Sequence, residues 1–178
     1  MIPLGTPAPA FTLPDTVSGQ VKTLTELKGE KATVVMFICN HCPYVKHVNP
    51  QLAQMANDYL ARGVKFIAIS SNDAKAQPDD GPEKMKELAL KENFVFPYLY
   101  DESQEVAKKY DAACTPDFYV FCGNLKLAYR GQLDDSRPSN NIPLTGKDIR
   151  AALDSLLAGK PVSPHQRPGI GCNIKWKE

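Results

Sequence analysis

Apolar positions change their spacing along this chain, and each change marks an element. Ala32 to Ile38 is an unbroken β-branched and apolar run, which predicts a central strand buried on both faces. From Val45 the spacing turns helical: Val45, Val48, Leu52, Met55, Ala56 and Tyr59 share one stripe, and Gly63 supplies a stop. Val64 to Ser70 reads as a second buried strand. Strand, helix and strand in this order imply a right-handed crossover with parallel strands. The junction between the first strand and the helix then lies at a carboxyl edge, where open α/β sheets place their sites.

The rest of the pattern is shorter-ranged. Met1 to Pro14 is a proline-rich extended arm with a short strand around Phe11 to Leu13, and Thr23 to Glu26 has the spacing of a capping box. Asn72 to Gly81 is polar and loop-like, and Pro82 opens a helix through about Glu92. A short strand at Pro97 to Tyr100 precedes a helix capped by Ser103 and running through Tyr110. Phe118 to Cys122, the Gly123-Asn124 turn and Leu125 to Arg130 read as a hairpin. After the polar loop Asp134 to Gly146, Ile149, Ala152, Leu153, Leu156 and Leu157 mark a last helix. The tail has no clear period, but Ile170, Cys172, Ile174 and Trp176 predict that it packs against the body. The expectation is one domain over residues 1–178, with 1–30 as an N-terminal extension or hairpin and 160–178 as a C-terminal tail.

Composition narrows the classes. The 178 residues are 43% hydrophobic and 23% charged, enough for one soluble domain with a core. A formal charge of +1 gives no footprint for nucleic acid or an anionic membrane. No apolar stretch approaches the roughly 20 residues of a spanning helix. The first residues lack a basic region followed by an uninterrupted apolar one, so no secretory signal is expected. Five cysteines, an odd and low number, point to a reducing compartment, and the cytoplasm is the expected location.

Chemistry concentrates at Cys39-Asn40-His41-Cys42-Pro43, at the predicted strand-to-helix junction. A helix N-terminus stabilises a thiolate, and the thiolate is the form that attacks disulfides or peroxides. The same spacing serves metal ligation or two ordinary buried cysteines, and the lone pair makes a closed zinc site improbable. On the redox reading Cys39 sits at the helix start and attacks, while the more buried Cys42 resolves. His41 would donate a hydrogen bond or partial positive charge to the Cys39 thiolate. His47, on the following helix, is expected at the surface.

Three segments carry a family resemblance: Leu4-Gly5-Thr6-Pro7-Ala8-Pro9-Ala10-Phe11-Thr12-Leu13-Pro14-Asp15, Cys39-Asn40-His41-Cys42-Pro43, and Thr115-Pro116-Asp117-Phe118-Tyr119-Val120-Phe121 followed by Gly123. With the element order, they resemble the thioredoxin-like superfamily, in its redoxin and alkyl-hydroperoxide-reductase/thiol-specific-antioxidant (AhpC/TSA) branch. The ending Ile170 to Trp176 is similar to that of bacterial thioredoxin family proteins. The resemblance implies a thioredoxin-like, peroxiredoxin-like α/β fold with a central mixed sheet flanked by helices. It also implies that Thr115-Pro116 is a cis-proline loop facing the dithiol and presenting Thr115 backbone groups to an extended substrate. Cys114, just before that loop, and Cys172, in the tail, are candidates for additional redox thiols; Cys122 reads as structural. The loop Asp134 to Asn141 is a candidate border of the site.

Departures from the branch decide between reactions. The Pro-x-x-x-Thr/Ser-x-x-Cys pattern of peroxiredoxins fails before Cys39, where Met36 and Ala32 stand, and the arginine expected beside the Phe118 strand is missing. Thioredoxin's buried carboxylate falls at Thr33 and its tryptophan at Ile38. The leading expectation is a thiol–disulfide oxidoreductase acting on a disulfide-bearing protein or small thiol substrate, with a cellular thiol reductant and no cofactor. His41 points to a pair less reducing than thioredoxin's. A peroxiredoxin-like antioxidant peroxidase acting through Cys39 stands second, and a copper- or zinc-binding module using Cys39, Cys42 and a histidine third. The resemblance leaves a homodimer open; no nucleic acid and no membrane are expected as partners.

Overall fold

The computed structural model describes residues 2–178. Its centre is a mixed sheet of five strands in the order β5-β4-β3-β7-β8. β3 (Ala32–Phe37) and β4 (Val64–Ser70) run parallel, joined by α2 (Pro43–Leu60), and β5 (Tyr98–Tyr100) extends the parallel half. β7 (Asp117–Cys122) lies antiparallel to β3 and pairs with β8 (Leu127–Gly131) in a hairpin. Every residue of β3 is buried, as its uniform apolar run requires of a strand covered on both faces.

Alternation sorts the sheet residues between two cores. Val34, Met36, Phe66, Phe118 and Val120 pack with Leu52 and Met55 of α2, Met85 of α3 (Pro82–Lys91) and Ile149 and Leu153 of α5 (Lys147–Leu157). Val35, Phe37, Ile67, Ile69, Tyr119 and Phe121 face the other way. They meet Phe11 and Leu13 near β1 (Thr12–Pro14), Leu24 of α1 (Leu24–Leu27), and Val106 and Ala107 of α4 (Glu105–Lys109). β1 forms a small hairpin with β2 (Val21–Thr23). The capping box at α1 is complete, with Thr23 Oγ1 accepting from Glu26 N–H at 3.2 Å and Glu26 Oε1 accepting from Thr23 N–H at 3.3 Å. Such a cap is worth about 1 kcal/mol. This is the α/β, thioredoxin-like arrangement that the resemblance implies.

Two segments depart from the pattern, and the tail packs as the pattern predicts but adds a strand. β8 starts at Leu127, because Leu125 turns to φ +57 and donates to the Cys122 carbonyl at 2.8 Å, closing the hairpin turn. Gln104, not Ser103, is the N-cap of α4, although Ser103 Oγ accepts from Glu105 N–H at 3.3 Å. The tail is no loose end: β9 (Cys172–Asn173) pairs antiparallel with β6 (Cys114–Thr115), and Ile174 is buried in the second core.

Candidate active site

Local sequence explains how the dithiol is held. Ile38 N–H still donates to Ile69 O at 3.0 Å, so the chain leaves the sheet only at Cys39. Pro43 opens α2, where its fixed φ fits and its missing N–H goes unmissed. Cys42 is therefore the N-cap, and Cys39 lies outside the helix on the connecting turn. This corrects the placement of Cys39 at the helix start. Both cysteines are fully buried, so Cys42 is not the more hidden of the two.

Thr115 faces both sulfurs. Its Oγ1 lies 3.5 Å from Cys39 Sγ, and its carbonyl oxygen lies 3.5 Å from Cys42 Sγ. The Thr115–Pro116 peptide is cis. The structure thus brings Cys39, Cys42, Thr115 and Pro116 together as one group.

The turn carrying Asn40 and His41 is fixed by a residue absent from the sequence reading. Asp80 ends a short 3-10 turn at Pro78–Asp80, inside the segment read as a polar loop, and it is completely buried. It accepts from Asn40 N–H at 2.7 Å, His41 N–H at 3.1 Å and Asn72 Nδ2 at 2.9 Å, and its Oδ2 lies 2.5 Å from His41 Nδ1. His41 therefore spends Nδ1 on Asp80 instead of on the Cys39 sulfur, which corrects its expected contact. Tyr98 OH, from β5, donates to Asn40 Oδ1 at 3.0 Å. Thr33 has no part in the site; its hydroxyl accepts from Gly29 N–H at 2.9 Å.

The two sulfurs interact closely enough to share one charge, which is drawn toward Cys42. Cys39 and Cys172 beside it lower the Cys42 pKa to about 4 against the effect of burial, while the Cys42 side chain makes no cap bond to the helix. Cys39 is pushed well up by its bond to Cys42, by burial and by the nearby charge of Asp80, against the hydroxyl of Thr115. Cys172 is raised to about 11 by burial and by the Cys42 charge, and Cys114 to about 12 by burial and by Asp117. Cys114 and Cys172 thus both lie beside the dithiol; Cys122, at the far end of β7, does not.

Other candidates are placed as follows. Cys39, His41 and Asp80 offer ligand atoms within 4.8 Å of one another, a donor set for a metal ion. The 2.5 Å bond between His41 and Asp80 already engages two of those atoms with each other. His47 is half-buried, with Nε2 2.7 Å from Ser136 Oγ, contrary to its expected surface position. Through Ser136 and Arg137 the loop Asp134 to Asn141 lines a cleft that also touches Tyr44, Pro116 and Ile170, so it does border the site. An arginine does stand beside the Phe118 strand: Arg130 of β8, whose Nη2 lies 3.2 Å from Asp117 and whose guanidinium packs over the Tyr119 ring. Tyr119 belongs to the core on the far side of the sheet from Cys39 and Cys42.

Comparison with known proteins bears on the family and the fold. Residues 4–130 match the model of the AhpC/TSA family. The chain is 26% identical over 105 residues to the thiol-disulfide oxidoreductase YkuV of Bacillus subtilis, covering 59% of this chain and 68% of that protein. A crystal structure of a protein from Geobacillus kaustophilus superposes with a TM-score of 0.98 at 61% identity, covering 99% of this chain and 94% of the other. The thioredoxin domain of a thiol-disulfide oxidoreductase from Bacteroides vulgatus shares the fold, with a TM-score of 0.63 at 18% identity over 84% of this chain and 97% of that one.

Proposed function

We propose, for a chain that belongs to the AhpC/TSA family, thiol–disulfide exchange through the dithiol Cys39–Cys42. The observation that carries this reading is the pairing of the two buried sulfurs across from Thr115. A thiolate held in that pair attacks one sulfur of a substrate disulfide, in a protein or a small thiol compound, and the second cysteine resolves the mixed disulfide. The product is a Cys39–Cys42 disulfide, which a cellular thiol returns to the dithiol. The odd cysteine number favours the cytoplasm as the setting.

The order of attack follows the charge. The sequence pattern, which puts Cys39 at the helix start, assigns attack to Cys39 and resolution to Cys42. The charge of the pair, drawn toward Cys42, favours the opposite order, with Cys42 attacking and Cys39 resolving. Peroxide cleavage is the weaker reading, because Arg130, the arginine beside the Phe118 strand, is bound to Asp117 and packed over Tyr119 on the other face, instead of being placed to stabilise leaving hydroxide.

Serine variants test this directly. Stopped-flow mixing of the reduced protein with a peptide disulfide should outpace its reaction with hydrogen peroxide. Cys39→Ser, with Cys172 also replaced by serine so that no other thiol lies beside Cys42, should accumulate a mixed disulfide with the peptide at Cys42, and Cys42→Ser should react at least tenfold more slowly. Faster consumption of peroxide than of disulfide would overturn the function; trapping at Cys39 alone would overturn the order.

A further inference from the structure

The C-terminal strand lies where an extended substrate would lie. In the register of the β6–β9 ladder, Thr115 faces Cys172 and Cys114 faces Asn173. β9 thus occupies the backbone edge beside Pro116, the edge that strand addition would otherwise use. The fit is close: a Cβ on Gly171 would come within 1.9 Å of the Thr115 carbonyl oxygen, so only glycine lets the strand settle there. Residues on both sides fasten the segment. Gln132 N–H donates to Arg167 O at 2.9 Å, Lys175 N–H to Asn72 Oδ1 at 2.9 Å, and Gln104 Nε2 to Lys175 O at 2.9 Å. Within this frame the Cys172 side chain lies beside Cys42 and packs against the core containing both site cysteines.

We propose that Cys172 is a third exchange thiol, presented by the tail as an internal substrate for the Cys39–Cys42 disulfide. This rests on the dithiol reading above. Once that disulfide has formed, Cys172 gives up its proton and attacks Cys42 Sγ. The Cys39–Cys42 bond breaks, a Cys42–Cys172 bond forms, and Cys39 leaves as a thiolate that takes up the proton. No electrons are gained or lost, so the step needs no further oxidant. Its geometric basis is the ladder pairing, which holds Cys172 opposite the residue whose carbonyl touches Cys42. Burial holds the Cys172 thiol up throughout, but the further rise caused by the Cys42 charge is absent once Cys42 is in a disulfide, which lowers the cost of ionising Cys172 for the attack. Closing the new bond fastens the tail over the site until Cys39 reverses the exchange or a reducing thiol breaks it. Cys114 is a bystander in this scheme, its thiol donating to the Pro116 carbonyl at 3.7 Å.

The test installs the disulfide with diamide in the full chain, so that it does not depend on turnover of any substrate. Samples are trapped in acid with N-ethylmaleimide, digested without reduction and mapped by mass spectrometry. Wild type should hold a Cys42–Cys172 link beside the Cys39–Cys42 disulfide, in a ratio within roughly tenfold of unity for an exchange between comparable disulfides. Cys39→Ser should close the Cys42–Cys172 link nearly completely, and Cys172→Ser should stop at Cys39–Cys42. A wild type with the Cys39–Cys42 bond alone, together with Cys39→Ser that stays unlinked, would overturn the proposal. Cys172→Ala, compared by thermal unfolding, separates loss of the link from loss of tail packing. Failure of Cys172→Ser to reduce a peptide disulfide would instead count against the dithiol function, since that variant keeps both site cysteines.

Discussion

Replacing Asp80 with asparagine removes one buried charge while nearly preserving shape, and two effects should follow. The first is on stability. The carboxylate accepts from Asn40, His41 and Asn72 and pairs with the His41 ring. An asparagine oxygen can keep the two backbone N–H groups, but its NH2 then faces the Asn72 amide or the His41 ring. Hydrogen bonds to charged groups are worth about 1.5–3 kcal/mol each. Losing one or two should lower stability by about 3 kcal/mol, roughly 6–12 °C in Tm for a chain of this size.

The second effect is on where the dithiol keeps its charge. Cys39 Sγ and the Asp80 carboxylate lie within 4.8 Å. At an effective dielectric constant of about 20 this repulsion against a Cys39 thiolate is about 3.5 kcal/mol, roughly 300-fold in population. Asp80→Asn should therefore move charge from Cys42 toward Cys39. Competitive alkylation at neutral pH, with the label on each sulfur counted by mass spectrometry, reads the ratio. We expect at least a tenfold rise in Cys39 labelling relative to Cys42. A folded variant with the ratio unchanged within twofold would refute the contribution of Asp80, beside Cys42 and burial, to keeping charge off Cys39.

Two further outcomes follow from the same geometry. Thiolate absorbance at 240 nm in the reduced protein should disappear on acidification with a midpoint near the lowered Cys42 pKa of about 4. Because that pKa lies below the ordinary 9.0, the thiolate favours the folded state most above pH 9. Its contribution declines as the pH falls and vanishes below about 4, so the Tm gap between reduced and oxidised protein should shift progressively across that window; a constant gap would contradict it. Gly171→Ala places a Cβ within 1.9 Å of Thr115 O and should lift β9 from β6. Alkylation of Cys42 should then accelerate at least tenfold, with a loss of about 1–2 kcal/mol in stability; unchanged alkylation would show that β9 does not cover the sulfurs.

Much of the fold was legible because its signals are local or periodic. The apolar run of β3, the stripe of α2 and the Gly123-Asn124 turn each state their own conformation. The motif cysteines and Thr115-Pro116 were legible through resemblance, and they do meet. What sequence withheld were contacts made by isolated polar residues across long separations. Asp80 stands in a run of polar residues with nothing to distinguish it from Asp79 beside it, yet one is buried under the dithiol and the other is exposed. The pairing of Cys172 with Thr115 was hidden for a similar reason, since a two-residue strand carries no period. Cys42 became the N-cap because Pro43 can open a helix. That signal is present in the sequence, as a proline directly after the second cysteine.

Asn72 joins two parts of the molecule through opposite ends of a single amide. Its Nδ2 donates to Asp80 at 2.9 Å, and its Oδ1 accepts from Lys175 N–H at 2.9 Å. An amide that is held at one end is better placed to bind at the other, so docking of the tail and fixing of the carboxylate beneath Cys39 are thermodynamically linked. Linkage is reciprocal: whatever favours the docked tail also favours the ordered carboxylate, by the same factor in each direction. A molecule that displaces the tail thereby loosens Asp80, and with it the restraint on the charge of the sulfur it has come to meet.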